Sequence, residues 1–163
     1  MEVDFLFQIG DKVVYPMHGA GIIEAIEEKE ILGEKQPYYV IKMSVGTIQV
    51  MVPVEKASIL GIRPIVDMLT MENILLGFHD GESEPSLPWN ERHRMNADKM
   101  GTGDIQAAAK VIRGLLYRSK EKKLNTNEQN MLDNAKKILI SELALVKGIT
   151  ESQATDLLNK EIN

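Results

Sequence analysis

The stretch Thr47–Phe78, "TIQVMVPVEKASILGIRPIVDMLTMENILLGF", changes its hydrophobic period part-way along. In "TIQVMVPV" (Thr47–Val54), Ile48, Val50 and Val52 fall on one side and Thr47, Gln49 and Met51 on the other. Alternation of this kind is the period of a half-buried strand. From Pro64 onward "PIVDMLTMENILLGF" repeats its apolar residues at helical spacing, which predicts a first helix there. The change predicts an α+β chain: a small antiparallel β sheet or open barrel over residues 1–60, then a compact all-α domain over 64–163.

Upstream, every segment carries β punctuation. "DKVVYP" (Asp11–Pro16) is a short apolar run ended by proline, and "HGAGIIEAIEEKEI" (His18–Ile31) opens with two glycines. "LGEKQP" (Leu32–Pro37) is a polar turn in which Gly33 is free to take positive φ. "YYVIKM" (Tyr38–Met43) is rich in β-formers. Four or five such strands with hairpin-length links leave sheet edges, and edges invite a partner strand.

Downstream, "HDGESEPSLP" (His79–Pro88) is an acidic, proline-containing linker. Ser86 is the expected N-cap of the next helix, with Pro88 in its first turn. "GTGD" (Gly101–Asp104) ends that helix and caps another, whose apolar stripe is Ile105, Ala108, Ala109, Ile112, Leu115 and Leu116. A long helix follows, started by Asn125 with Glu128 three residues on and stopped by Gly148. Its stripe is Met131, Leu132, Ala135, Ile138, Leu139, Leu143 and Val146. Thr150 with Gln153 caps a final short helix.

Composition bounds the function. Cysteine is absent, which excludes disulfides and thiolate metal sites. The start, "MEVDFLFQIGD", is acidic and too poor in apolar residues for a signal peptide, and no apolar run approaches a membrane span of ~18 residues. A soluble, cytoplasmic protein without a membrane partner is expected. The net charge is −5, yet residues 89–123 alone carry a net +5. A basic island in an acidic chain predicts a local electrostatic site; the plainer reading is a solvated helical face.

Catalysis is not expected. "HGAG" (His18–Gly21) lacks the Lys-Ser/Thr of a phosphate loop, and "GTGD" is a helix break. His79, Asp80, Glu82 and Glu84 are potential metal ligands, but no second cluster stands ready to close a site. Neither His18 nor His93 has a serine or cysteine partner in the sequence, and no nucleophile motif occurs. No cofactor, metal or small-molecule substrate is expected.

One aromatic residue resists a structural explanation. Trp89, the only tryptophan, stands in "SEPSLPWNERHRMNADK" (Ser83–Lys99) among charged neighbours. On a helix Trp89, Arg92, His93 and Asn96 share one face. Arg92 and Arg94 are placed to straddle phosphates around an inserted ring, and Lys110, Arg113 and Lys120 fall along one flank of the next helix. The alternative is a buried ring, with arginines that only hold linker carboxylates.

These residues resemble a known family. "FQIGDKVVYPMHGAGIIEAIEEKEILGEKQPYYVIKM" is similar to the N-terminal module of the CarD/CdnL bacterial transcription regulators, a module shared with transcription-repair coupling factor. "PWNERHRMNADKMGTGD" and "NEQNMLDNAKKILISELALV" resemble the helical part of CarD itself. The resemblance implies a Tudor-like N-terminal domain that binds the RNA polymerase β subunit. It also implies a helical domain that touches promoter DNA at the upstream edge of the melted bubble and stabilises the open complex. Trp89 would lodge in the minor groove there; the helical spacing and charge add Arg92, Arg94, Asn96, Lys110 and Arg113 as expected DNA contacts.

For the polymerase it implies Lys29, Ile31 and Met51 as contacts. Relatives often carry arginine where Lys29 and Met51 stand: Lys29 keeps the charge without the fork geometry, and Met51 loses it. Gln129 stands where relatives can present lysine to DNA. Weak DNA affinity is therefore expected, with recruitment through polymerase dominant. The competing expectation is a protein-interaction module that docks a partner through Trp89 without touching DNA.

Overall fold

The structure is a computed structural model that describes residues 5–46, 48–79 and 87–163. Thr47, Ser86, Asp80, Glu82 and Glu84 lie outside the described residues, and with them the expected Ser86 cap.

Five strands form one antiparallel sheet: β1 (Lys12–Tyr15), β2 (Gly19–Ile31), β3 (Glu34–Met43), β4 (Gln49–Pro53) and β5 (Arg63–Pro64), in the order β4-β3-β2-β1-β5. The β2–β3 turn has both Leu32 (φ 54°) and Gly33 (φ 80°) in the left-handed region, the backbone that matches a two-residue hairpin to the twist of its strands. Alternation sorts the side chains by face. Val13, Ile23, Tyr39, Ile41 and Val52 point to one side and pack with Phe7, Val54, Ala57 and Ile62. The Tyr39 hydroxyl accepts from the Phe7 amide at 3.1 Å, so a buried polar tip closes the N-terminal approach to the sheet.

The expected helix from Pro64 is corrected. Arg63 and Pro64 pair with Val14 and Val13 and close the sheet beside β1. Proline is tolerated on an edge strand because a missing amide there breaks no ladder bond. The helix, α1 (Met68–Leu76), begins only after Asp67, whose carboxylate accepts from the Thr70 amide at 2.8 Å. The expected first-turn position of Pro88 is corrected as well. Pro88 occupies the N-cap position of α2 (Trp89–Gly101) and its carbonyl accepts from the Arg92 amide. Its ψ of 148° is extended, which ends the incoming chain before the helix turns.

Three helices follow: α3 (Ile105–Glu121), α4 (Thr126–Lys147) and α5 (Glu151–Ile162). Both expected capping boxes form, Asn125 with Glu128 and Thr150 with Gln153. The helical core gathers Met71 from α1, Ile112 and Leu115 from α3, Leu139 and Leu143 from α4, and Leu158 from α5.

The long helix α4 has a second buried side that its sequence stripe does not announce. Ser141 and Glu142 are buried against the sheet. The Ala20 amide donates to Ser141 Oγ at 2.8 Å, and Ser44 Oγ donates to the Ser141 carbonyl at 3.1 Å. Glu142, at 0% exposure, takes both prongs of the Arg63 guanidinium at 2.8 and 3.0 Å, and the Val66 amide as well. Arg63 Nε donates in turn to Gly103 in the α2–α3 turn. Two glycines permit this approach: a Cβ on Gly19 (φ +107°) would stand 2.9 Å from Ser141 Oγ, and one on Gly103 (φ +73°) 2.7 Å from the Pro16 ring. The sheet and the helices are thus joined by a saturated polar contact rather than by a bare tether.

Candidate functional site

The first candidate surface is the far end of the sheet. Strand register puts Lys29 opposite Gln36, Ile31 opposite Glu34, and Met51 opposite Val40. Directly opposed residues share a face, so Lys29, Ile31 and Met51 all lie on the side away from the Tyr39 core. Lys29 and Ile31 are exposed and Met51 is half-buried. β1 pairs β2 only as far as Ile22, and β4 is a terminal strand. Among the described residues, the outer half of β2 and the outer edge of β4 therefore offer unpaired backbone beside these side chains, the requirement for strand addition. α4 covers the same face at its other end, around Ala20.

The second surface is the start of α2. Trp89 is 39% exposed, so the ring is not sealed into the core. His93, one turn on, stacks against it with ring centroids 5.2 Å apart and planes 16° apart. One face of the indole is thereby held, which fixes its rotamer at low entropic cost. Among the described residues, His93 Nδ1 is buried without a hydrogen-bond partner, so stacking is the contact seen to position this ring.

The expected companions of Trp89 separate into two groups. Arg94 is exposed, and Lys110 is exposed on α3. Arg92 and Asn96 are not available to a phosphate: they are 8% and 3% exposed, and their expected outward placement is corrected. Arg92 Nη2 pairs with Glu128 at 3.1 Å, and Nη1 donates to the Leu87 carbonyl at 3.0 Å. Arg118 Nε approaches the same Glu128 oxygen at 3.2 Å as an ion pair outside hydrogen-bond geometry. The physical reason is that a buried carboxylate at the head of α4 must be paired, and these two guanidiniums meet that need. Arg113 is half-buried and donates to the Gly77 carbonyl at 3.1 Å, so its fork is partly committed to the end of α1.

Glu128 is the functional residue the sequence conceals. It is legible as half of a capping box, but its second task, gripping α2 through Arg92 and α3 through Arg118, depends on which helices meet it. Through Arg92 it anchors the first turn of α2, the turn that carries Trp89.

His79 Nε2 meets Glu161 at 2.7 Å. Among the described residues, no group of three or more His, Asp or Glu side chains could hold a metal. Among the described residues, no helix is long and apolar enough to cross a membrane.

The sheet, with Lys29, Ile31 and Met51 on one face, is joined to a helical domain that keeps its tryptophan partly exposed. Comparison with known proteins gives this arrangement its name. Residues 7–66 match the CarD-like/TRCF RID domain, the Tudor-like RNA polymerase-interacting domain, and residues 73–159 match the CarD C-terminal domain. The chain belongs to the CarD family of bacterial transcription regulators. It is 56% identical over 148 residues to the Bacillus subtilis (strain 168) protein named "Putative transcription factor YdeB", a match covering 91% of this chain and 97% of that protein.

Proposed function

We propose that this protein bridges the RNA polymerase β subunit and promoter DNA, and stabilises the open complex without catalysing a reaction. The sheet face around Lys29, Ile31 and Met51 takes the polymerase, and the start of α2 takes the upstream edge of the bubble. The observation that carries the reading is Trp89: a large ring kept 39% exposed at a helix start and stacked on His93, with Arg94 exposed further along the same helix.

At a bubble edge the last base step is already half unstacked. A ring inserted there restores stacking, whereas insertion into intact duplex must first disrupt a step at a cost of about a few kcal/mol. The protein therefore favours the open over the closed promoter, and a ligand shifts an equilibrium only through such a difference. A difference of ~1.4 kcal/mol raises the open fraction about tenfold relative to the closed. DNA contact need not be strong, because docking on polymerase supplies a high local concentration.

Purified transcription tests both surfaces together. Trp89→Ala is expected to keep polymerase binding and lose the added open-complex lifetime. Met51→Asp is expected to weaken polymerase binding while the protein stays folded. An unchanged lifetime with Trp89→Ala removes the DNA role and leaves a module that docks only proteins. Full polymerase affinity in a folded Met51→Asp variant places the polymerase contact elsewhere.

A further inference from the structure

Next to Trp89 lies a groove of about 350 Å³ between α2, α4 and the β1–β2 turn. His93 lines it, and the same ring stacks on Trp89, so the groove and the tryptophan share one side chain. One wall is a row of carboxamides on α4, Asn127, Asn130 and Asn134, spaced so that all three lie on one helix face. All three are exposed, and none of the side-chain hydrogen bonds among the described residues engages them. Thioethers from Met17 and Met131 supply the rest of the lining that matters here. Met17 reaches the groove from a left-handed backbone (φ 71°), a conformation that costs a non-glycine residue about 1 kcal/mol or more.

We propose that this groove accepts a single unpaired nucleobase, swung out of the strand at the bubble edge that Trp89 props open. The inference rests on the reading of α2 as the DNA-facing helix. The chemistry of the lining selects a base over a phosphate or a charged peptide. Among the described residues no Lys, Arg, Asp or Glu side chain lines the groove; its polar lining is three carboxamides and the His93 imidazole, which match a neutral hydrogen-bonding edge better than a fixed charge. A base edge is neutral and presents donors and acceptors side by side, and each carboxamide offers both. Methionine sulfur packs well against aromatic rings. A base already unpaired at the fork is the cheapest to extrude, since most of its stacking has been lost. The phosphates on either side of it are left to exposed cations such as Arg94, outside the groove.

The test is a double-mutant cycle on reconstituted polymerase–promoter complexes with the full-length protein. One arm is Asn130→Ala with Asn134→Ala, exposed helix positions whose change leaves the fold intact, as circular dichroism would verify. The other arm is an abasic nucleotide placed in turn at each position of the upstream bubble edge. On the intact promoter the double variant is expected to shorten complex lifetime roughly three- to tenfold, the scale of one or two lost hydrogen bonds. At one position the abasic site is expected to cause the same loss, and there the variant adds nothing further. A wild-type lifetime with the double variant overturns the proposal, and so do losses that multiply at every abasic position. A fall in polymerase affinity without DNA also overturns it, since the groove would then hold a polymerase segment. Trp89→Ala runs in parallel. A lifetime that depends on Trp89 but not on the amides removes the base groove alone; one that depends on neither removes the DNA reading with it.

Discussion

At the scale of residues, two arginines two positions apart have opposite fates. Arg94 is exposed on α2, whereas Arg92 is buried and bridges Leu87 and Glu128. Arg92→Ala leaves a buried carboxylate with Arg118 as its remaining cation among the described residues, and breaking a buried pair costs about 3 kcal/mol. Arg94→Ala removes a solvated charge and changes stability by about 0.5 kcal/mol or less. Urea denaturation is expected to separate the two variants cleanly. Equal midpoints would mean that the Glu128 clamp does not hold α2. Nothing in the residue types distinguishes these arginines. The distinction comes from a carboxylate 36 residues away along the chain.

At the scale of elements, α1 depends on its cap. Thr70, through its side chain and then its backbone, hydrogen-bonds the Asp67 carboxylate and holds its pKa below the ordinary value of 3.8. A carboxylate whose pKa is lower folded than unfolded stabilises above the unfolded value, and that contribution fades as pH falls through the folded one. Acid therefore weakens the start of α1 only below about pH 3.8. Asp67→Ala is expected to lower stability at neutral pH and to match wild type at strongly acid pH. A constant gap between the two across the acid range would assign the effect to something other than the cap.

Much of the element scale is legible in the sequence. The Asn125–Glu128 and Thr150–Gln153 boxes announce the starts of α4 and α5, because capping is a local hydrogen bond between residues three apart. The stripe from Ile105 to Leu115 announces the buried side of α3, because helical spacing alone places those residues together. Pro64 was misplaced into a helix because an apolar run beside proline fits an edge strand equally well, and only pairing with Val13 decides between them.

At the scale of the whole molecule, the ion pair between Arg63 and Glu142 joins the two halves, supported by Ser141 against Ala20 and Ser44. These contacts join the two candidate surfaces, the sheet face around Lys29, Ile31 and Met51 and Trp89 on α2, in one frame. Calorimetry of the wild type is expected to give a single transition. Glu142→Ala strands the Arg63 guanidinium and is expected to lower the melting temperature and divide that transition in two. A single, unshifted transition in the variant would show that apolar packing alone unites the halves. If the transition divides, the proposed function predicts a larger fall in open-complex lifetime than in polymerase affinity, because the contact orients α2 without including Lys29, Ile31 or Met51.

The order of the elements, the change from period two to helical spacing, most of the caps, and the placement of a lone tryptophan at a helix start are all legible in the residue pattern. These follow from interactions between neighbours along the chain, which a pattern of residue types records directly. Long-range packing alone turns Arg92 and Asn96 inward, brings Glu128 to two other helices, and makes Ser141 and Glu142 a second buried side of α4. A polar residue is buried or exposed according to whether a distant chain segment meets its hydrogen-bonding needs, and no local periodicity carries that information.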